Sequence, residues 1–197
     1  NFAVYLLTGI VCYNFFSEVT NMSLTSITEN ASLITKVYIP KYIYPVSRAL
    51  SSMVNFLLSL IPLAVVMIAT RTPVTDAVLL LPFAILCEFM LSMGVGMILA
   101  SSMVFFRDTQ FLWSVFNMVW MYMTPIFYPE DIICGWLSYF FKINPLYHII
   151  RFFRIILLNG VSPEPKAYLF CLILSAIPLV LGVLIFKKTQ DRFVLYI

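Results

Sequence analysis

The sequence predicts an all-α, polytopic helical membrane protein, with five membrane-spanning helices, one short amphipathic helix on the cytoplasmic side and an outer re-entrant or amphipathic helical hairpin. Three observations carry this. Of 197 residues, 62% are hydrophobic and 11% charged, and the mean hydropathy is +0.98, so a water-soluble globule of this chain would expose large apolar patches. The apolar residues gather in runs close to the roughly 20 needed to cross a hydrocarbon core of about 30 Å. Between the runs lie prolines and basic residues of the kind that flank membrane spans. The net charge of +3 is what such flanks produce and implies no nucleic-acid partner.

The first span, Phe2–Ile27 within residues 1–28, carries Asn14, Glu18, Asn21, Thr25 and Thr28 at alternating steps of four and three, which aligns them as one polar stripe. Intramembrane charge costs about 2.5–3.5 kcal/mol on insertion scales, so the stripe faces another helix or a watery path. Hydrogen-bonding glue and path lining both remain open for Asn14, Glu18 and Asn21. The chain opens on Asn1 and enters an apolar run at once, with no basic leader or small-residue cleavage site, so we expect an N-terminally incomplete sequence.

Residues 29–48 then interrupt the apolar pattern. Up to Val37, a helix places Asn30, Leu33, Ile34 and Val37 on one face and Glu29, Ser32 and Lys36 on the other. Ser26 and Glu29 stand at capping-box spacing before it. Pro40 should end it, with an extended stretch through Pro45 leading into the next span. A short helix tethered between two spans cannot form a domain, but it can present a surface to another protein.

The second span, Ala49–Thr70, puts Arg48, Ser51, Ser52, Asn55, Ser59 and Pro62 on a shared packing face. The polar turn from Arg71 to Asp76 leads to the third span, Ala77–Phe106, which has Pro82 near its start and is longer than a bilayer requires, so it tilts, kinks or projects. Ser92, Gly96 and Ala100 make a small-xxx-small packing line. Glu88 is expected to be a satisfied structural carboxylate, since no intramembrane Lys, Arg or His is placed to relay protons with it.

Asp108 suits the N-cap of the fourth span, Phe111–Tyr128 within residues 109–128. Trp113, Phe116, Trp120 and Phe127 fall in one arc, with Asn117 and Thr124 beside them and Tyr122 and Tyr128 flanking. This is either core packing with an interfacial belt or an aromatic wall on which sugar rings slide.

Thr124-Pro125 ends that helix and opens the outer segment, residues 129–166. There Ile132–Phe141 and Pro145–Leu158 are both too short to span. In the second, Asn144, Tyr147, His148, Arg151 and Arg154 occupy one third of the circumference and apolar residues the rest, with Asn159-Gly160 as C-cap. The basic face either anchors at outer headgroups or meets an anionic, pyrophosphate-linked lipid. The last span, Ala167–Phe186, stops at Lys187-Lys188 before a cytoplasmic tail, residues 187–197. With the 29–48 connection in the cytoplasm, that side collects Lys36, Lys41, Arg48, Arg107, Lys187, Lys188 and Arg192 against Arg71, Lys142, Arg151, Arg154 and Lys166 outside.

Cys12, Cys87, Cys134 and Cys171 are far apart and read as packing residues, not metal ligands or disulfide partners. No phosphate-binding loop, nucleophile elbow or zinc-protease motif occurs. The chain therefore has no catalytic centre of its own, and energy for any active transport must come from a partner.

Four runs resemble a known family in the order expected of it: ENASLITKVYIPKYIYP from Glu29, FFRDTQFLW from Phe105, MYMTPIFYPED from Met121 and KINPLYHIIRFFRIILLNG from Lys142. The chain is similar over nearly its whole length to the membrane subunits of type-2 ABC exporters for polysaccharides, a family that normally has one more span before Phe2. The resemblance implies two permease copies working with two ATP-binding subunits in the bacterial cytoplasmic membrane, multi-pass with a cytoplasmic C-terminus. It implies a lipid-linked O-antigen, teichoic acid or capsular glycan as cargo, and ATP and Mg held by the partner ATPase. It makes Glu29–Ile39 the coupling helix, with Glu29, Asn30, Leu33, Ile34, Lys36 and Val37 at the partner. It also makes Trp113, Phe116, Trp120 and Tyr122 channel lining, and Pro129–Gly160 the outer gate, with Tyr147, His148, Arg151 and Arg154 toward substrate. An exporter of small molecules or drugs shares this architecture. A membrane-embedded glycan- or lipid-modifying enzyme using Glu18 and Glu88, or a passive scaffold, are the rivals from other classes.

Overall fold

In the computed structural model the described residues are 1–37, 39–72, 75–128, 141 and 143–196. They form helices α1 (Phe2–Glu29), α2 (Ala31–Lys36), α3 (Ile43–Ala69), α4 (Leu81–Phe105), α5 (Thr109–Met123), α6 (Pro145–Arg154) and α7 (Pro165–Thr189). A 3-10 turn, Asp76–Leu80, leads into α4, a π turn, Ile155–Asn159, follows α6, and a 3-10 turn, Gln190–Leu195, follows α7. Among the described residues, four helical stretches are long and apolar enough to cross a membrane: Phe2–Glu29, Ile43–Ala69, Asp76–Phe105 and Pro165–Phe193. The chain is a multi-pass membrane protein. The first limb of the expected outer hairpin, Ile132–Phe141, lies outside the described residues except for Phe141, as do Cys134 and Lys142.

The helix boundaries correct several expectations. The capping box at Ser26 does not form, because α1 runs on through it to Glu29 and the Ser26 hydroxyl donates to the Ser23 carbonyl at 2.6 Å. The extended stretch ends before Pro45, because α3 begins at Ile43 and Pro45 falls in its first turn, where a missing N–H costs little. Pro82 lies in the first turn of α4, near the start of the span as expected. Asp108 does sit at the N-cap of α5, but its side chain makes no capping bond. The expected fourth span, Phe111–Tyr128, is a helix of 15 residues, about 22 Å at 1.5 Å per residue and short of a hydrocarbon core of about 30 Å.

α1 and α4 are the inner helices, and α3 and α7 flank them. The outward faces of α3 and α7, including Val54, Leu58, Ile61, Val65, Leu169, Ile173, Val180 and Leu184, are exposed apolar surface of the kind lipid covers. α4 packs on α1 at Gly96, where an added Cβ would stand 2.8 Å from Ser23 Oγ. The tighter contact is with α7. A Cβ on Gly94 would collide with the backbone of Pro178 and Leu179, and one on Gly182 with the Gly94 carbonyl. Gly96 of the small-xxx-small line predicted through Ser92, Gly96 and Ala100 thus faces α1, while the tighter backbone contact uses Gly94 and Gly182.

α4 and α7 run parallel. Their starts meet at Phe83 and Tyr168, rings 5.3 Å apart, and their ends at Phe105 and Phe193, 6.0 Å apart. At the far end from α2, Thr75, just before α4, is tied to the end of the π turn after α6, its Oγ1 donating to the Gly160 carbonyl at 2.7 Å. Gly160 has φ +63°, the left-handed C-cap that its sequence predicts.

Candidate functional site

Three groups of residues could serve transport, and the fold sets them at different heights along α1. At its lower end Asn30 breaks α1: the Asn30 side-chain amide donates to the Ser26 carbonyl at 2.8 Å, while its own carbonyl accepts from Leu33 and Ile34 N–H. α2 follows for six residues and stops as Val37 turns extended. Leu33 and Val37 are 48% and 51% exposed beside exposed Ser32, Thr35 and Lys36, whereas Ile34, at 9%, turns back into the bundle. Glu29 belongs to α1 and pairs with Arg48 of α3 at 3.1 Å. The outward surface is therefore Leu33, Lys36 and Val37; Ile34 seats α2 on the bundle, and Glu29 ties the end of α1 to α3.

Midway up, the polar stripe lies between α3 and α5. Glu18 accepts from Asn55 of α3 at 2.8 Å, and Ser17 accepts from Asn117 of α5 at 2.6 Å. Asn14 and Asn21 are exposed between these two attachments. The packing face predicted on α3 is used here, with Arg48, Ser52 and Asn55 all contacting α1. Trp113, Phe116 and Trp120 cluster, with ring centroids 5.1–6.4 Å apart, and the two tryptophans pack on Phe16 of α1. Trp113 is buried and Phe116 exposed. Tyr122 is not with them: it is exposed on the opposite side of α5, near Phe127.

Glu88 departs from expectation. It is fully buried, the Cys12 thiol stands beside it, and neither carboxyl oxygen has a hydrogen-bond partner of normal geometry. The weak thiol donor of Cys12 is the polar group beside it among the described residues.

At the upper end, α6 is held inside the protein. Its apolar residues Leu146, Ile149, Ile150, Phe152 and Phe153 are buried against α1, α4 and α7, so this face does not anchor the helix at lipid headgroups. The bundle interior offers more apolar contact than the membrane surface does. Asn144 was predicted only as a member of the polar face, yet it joins α5 to α6. Its Oδ1 caps Leu146 N–H and accepts from Trp120 Nε1, both at 3.1 Å, while its Nδ2 donates to Thr124 Oγ1 at 3.1 Å. The Asn-Pro start of the helix is the signal for the cap; the bond to α5 has no sequence signal. Beside it an apolar cavity of 280 Å³ is lined by Phe116, Val119, Trp120, Met123, Ile143 and Pro145.

The four outer candidates separate. Arg154 is 5% exposed, donates to the Pro125 carbonyl at 2.8 Å, and stacks 3.4 Å over the Tyr5 ring. Tyr147 is buried and its ring lies 5.3 Å from His148. His148 stacks on Phe170 of α7 at 5.9 Å, and with Arg151, Glu164 and Lys166 it borders a 470 Å³ cavity between α6 and α7. His148 and Arg151 are thus joined by Lys166, which sequence reasoning left as a flanking charge.

A short helix presented at one end, a polar stripe left open along a membrane helix, and no catalytic motif fit a transport subunit. The family model for the ABC-2 type transporter matches residues 1–158. The chain belongs to the ABC-2 type transporter family. It is 31% identical over 196 residues to an O-antigen export system permease protein, RfbA, of Klebsiella pneumoniae, covering 98% of this chain and 74% of that one. A second Klebsiella pneumoniae RfbA is 28% identical over 195 residues, with the same coverage. RfbA of Myxococcus xanthus is 26% identical over 195 residues, covering 98% of this chain and 75% of that protein. This ABC-2 protein is accordingly a transport subunit, not an enzyme, of a system whose ATP-binding component is a separate partner.

Proposed function

We propose that the protein is the permease subunit of an ATP-driven exporter that moves a lipid-linked polysaccharide across the bacterial cytoplasmic membrane. The relatives named for O-antigen export support the cargo class. The observation that carries the reading is the stripe of α1: Asn14 and Asn21 are exposed on a membrane helix, and although Asn21 Nδ2 donates back to the Ser17 carbonyl at 2.8 Å, lipid would offer nothing to the Asn14 amide or to the Asn21 amide oxygen. A second copy of the permease and a hydrated path between the copies satisfy them. Phe116 and half-buried Trp120, with Trp113 buried behind them, stand on the flank of that stripe and offer π faces to sugar rings. His148, Arg151 and Lys166 form the outer cluster for the anionic linkage of the cargo.

In this reading the chain crosses the membrane five times. α4 and α7 are parallel, so the chain returns across the bilayer between Phe105 and Pro165, and α5 with the Thr124–Tyr128 turn is the segment that does so. The α2 end and the C-terminus face the cytoplasm, and the partner ATPase holds ATP and Mg. ATP binding draws two such ATPases together, displaces α2 through Leu33, Lys36 and Val37, and parts the helices that seal the path.

The test is gentle purification from the native membrane followed by mass spectrometry of proteins and lipids together. An ATP-binding subunit in equal amount with a polyprenyl-linked glycan is expected. An ATPase without glycan would transfer the protein to small-molecule export, and absence of any ATPase would remove the role of α2. Leu33→Asp should insert normally and abolish export; normal export in that variant would also remove it.

A further inference from the structure

The connection between α2 and α3 is held to the far end of the chain by one basic side chain. Lys41 Nζ donates to the Gln190 carbonyl at 2.6 Å, across 149 positions of sequence. Gln190 is the C-cap of α7, where the last carbonyls have no intrahelical partner and the helix dipole is negative, so an ammonium there makes a charge-assisted bond. The same ammonium lies 5.9 Å over the ring of Phe193. Phe193 is fully buried although it lies beyond the Lys187-Lys188 stop, with its ring 6.0 Å from Phe105 of α4 and 5.3 Å from Phe186 of α7. Tyr196 adds a second ring 5.0 Å from Phe105. The terminal 3-10 turn is therefore packed onto the ends of both parallel helices. α2, by contrast, packs only lightly, through Ile34 and against α1.

We propose that Lys41 and Phe193 form a clasp that passes displacement of the α2–α3 connection to α7 and α4, making them positioning residues for coupling. The inference rests on α2 being the point where the ATPase pushes. Without the clasp, the extended residue Val37 and the backbone around Pro40 would absorb a movement of α2 before it reached the helices beyond α1 and α3. With it, the load enters the α4–α7 pair, which Gly94 and Gly182 hold in backbone contact and which moves as a unit.

The test uses the whole permease in complex with its ATP-binding partner and compares Lys41→Met, Lys41→Arg and Phe193→Ala with the native chain. Three quantities are read: amide hydrogen exchange of residues 190–196, ATP turnover of the complex, and surface glycan of the producing cells. Lys41→Met should assemble with the partner and hydrolyse ATP within about twofold of normal. It should also exchange at residues 190–196 about tenfold faster, the scale of losing one hydrogen bond to a charged group, and lose export by a similar factor. Lys41→Arg should restore both. Unchanged exchange would show that there is no clasp; faster exchange with normal export would show that it transmits nothing; loss of partner binding would make Lys41 a docking contact. Any of these overturns the proposal. Leu33→Asp in parallel separates the two ideas: if it also exports normally, the role of α2 has failed, whatever the exchange data say about the clasp.

Discussion

Arg151 and Arg154 lie one turn apart on α6 and read alike in the sequence, but they differ in role. Arg154 is buried, and its guanidinium serves carbonyls of the Pro125–Ile126 turn as well as the Tyr5 ring. Removing it orphans those acceptors, so Arg154→Ala should destabilise the detergent-solubilised protein by about 3 kcal/mol or more. Arg154→Lys should not rescue it, since an ammonium lacks the planar fork that stacks and donates together. Arg151→Ala, at an exposed position beside the 470 Å³ cavity, should cost less than Arg154→Ala, because solvent screens an exposed guanidinium. Thermal unfolding of the three variants checks both statements. Glu88 gives the opposite expectation. Its oxygens have no partner of normal geometry beyond the weak Cys12 thiol, so Glu88→Met, close in volume, should leave the melting temperature unchanged or raise it, because a poorly compensated buried carboxyl is replaced by a well-packed thioether. A clear fall would show that Glu88 has a partner in the assembled transporter.

Single elements were legible in the sequence where local chemistry decides them. The positions of α1, α3, α4 and α7 follow from apolar run length, the end of α5 from Thr124-Pro125, and the end of the π turn that continues α6 from Gly160. α2 was legible as a short amphipathic helix, but its length was overestimated, because Asn30 and the continuation of α1 to Glu29 are set by bonds to Ser26 and Ile27. The crossing of α4 with α7 makes a prediction at this scale. Gly182→Ala puts a Cβ against the Gly94 carbonyl, and since backbone cannot repack like a flexible side chain, the helices must separate, at about 2 kcal/mol or more. The same substitution at Gly96 meets only the Ser23 side chain and should cost less; unfolding midpoints of the pair decide it. The Glu29–Arg48 pair joins α1 to α3 but is half exposed on both sides, so breaking it should cost under about 1 kcal/mol.

For the whole molecule, the ordering of helix ends predicts sidedness. Single cysteines replacing Lys36, Arg107 and Lys187 should label with a membrane-impermeant maleimide from one side of the membrane. Those replacing Arg71 and Lys166 should label from the other. Labelling of positions 107 and 166 from the same side would remove the crossing assigned to α5 and its following turn.

The sequence by itself determined that this is a helical membrane protein with a basic break, a polar stripe and a basic outer helix, because hydropathy, proline and glycine act over a few residues and need no partner. The tertiary structure decided which polar groups are used up inside the protomer and which are left for function. Spacing aligns Asn14 with Glu18, and Arg151 with Arg154, but cannot say what packs against them. Asn55 takes Glu18, the turn after α5 takes Arg154, and the last turn of the chain takes Lys41. Those partners are distant in sequence, and only the packing of one helix on another brings them within hydrogen-bond reach.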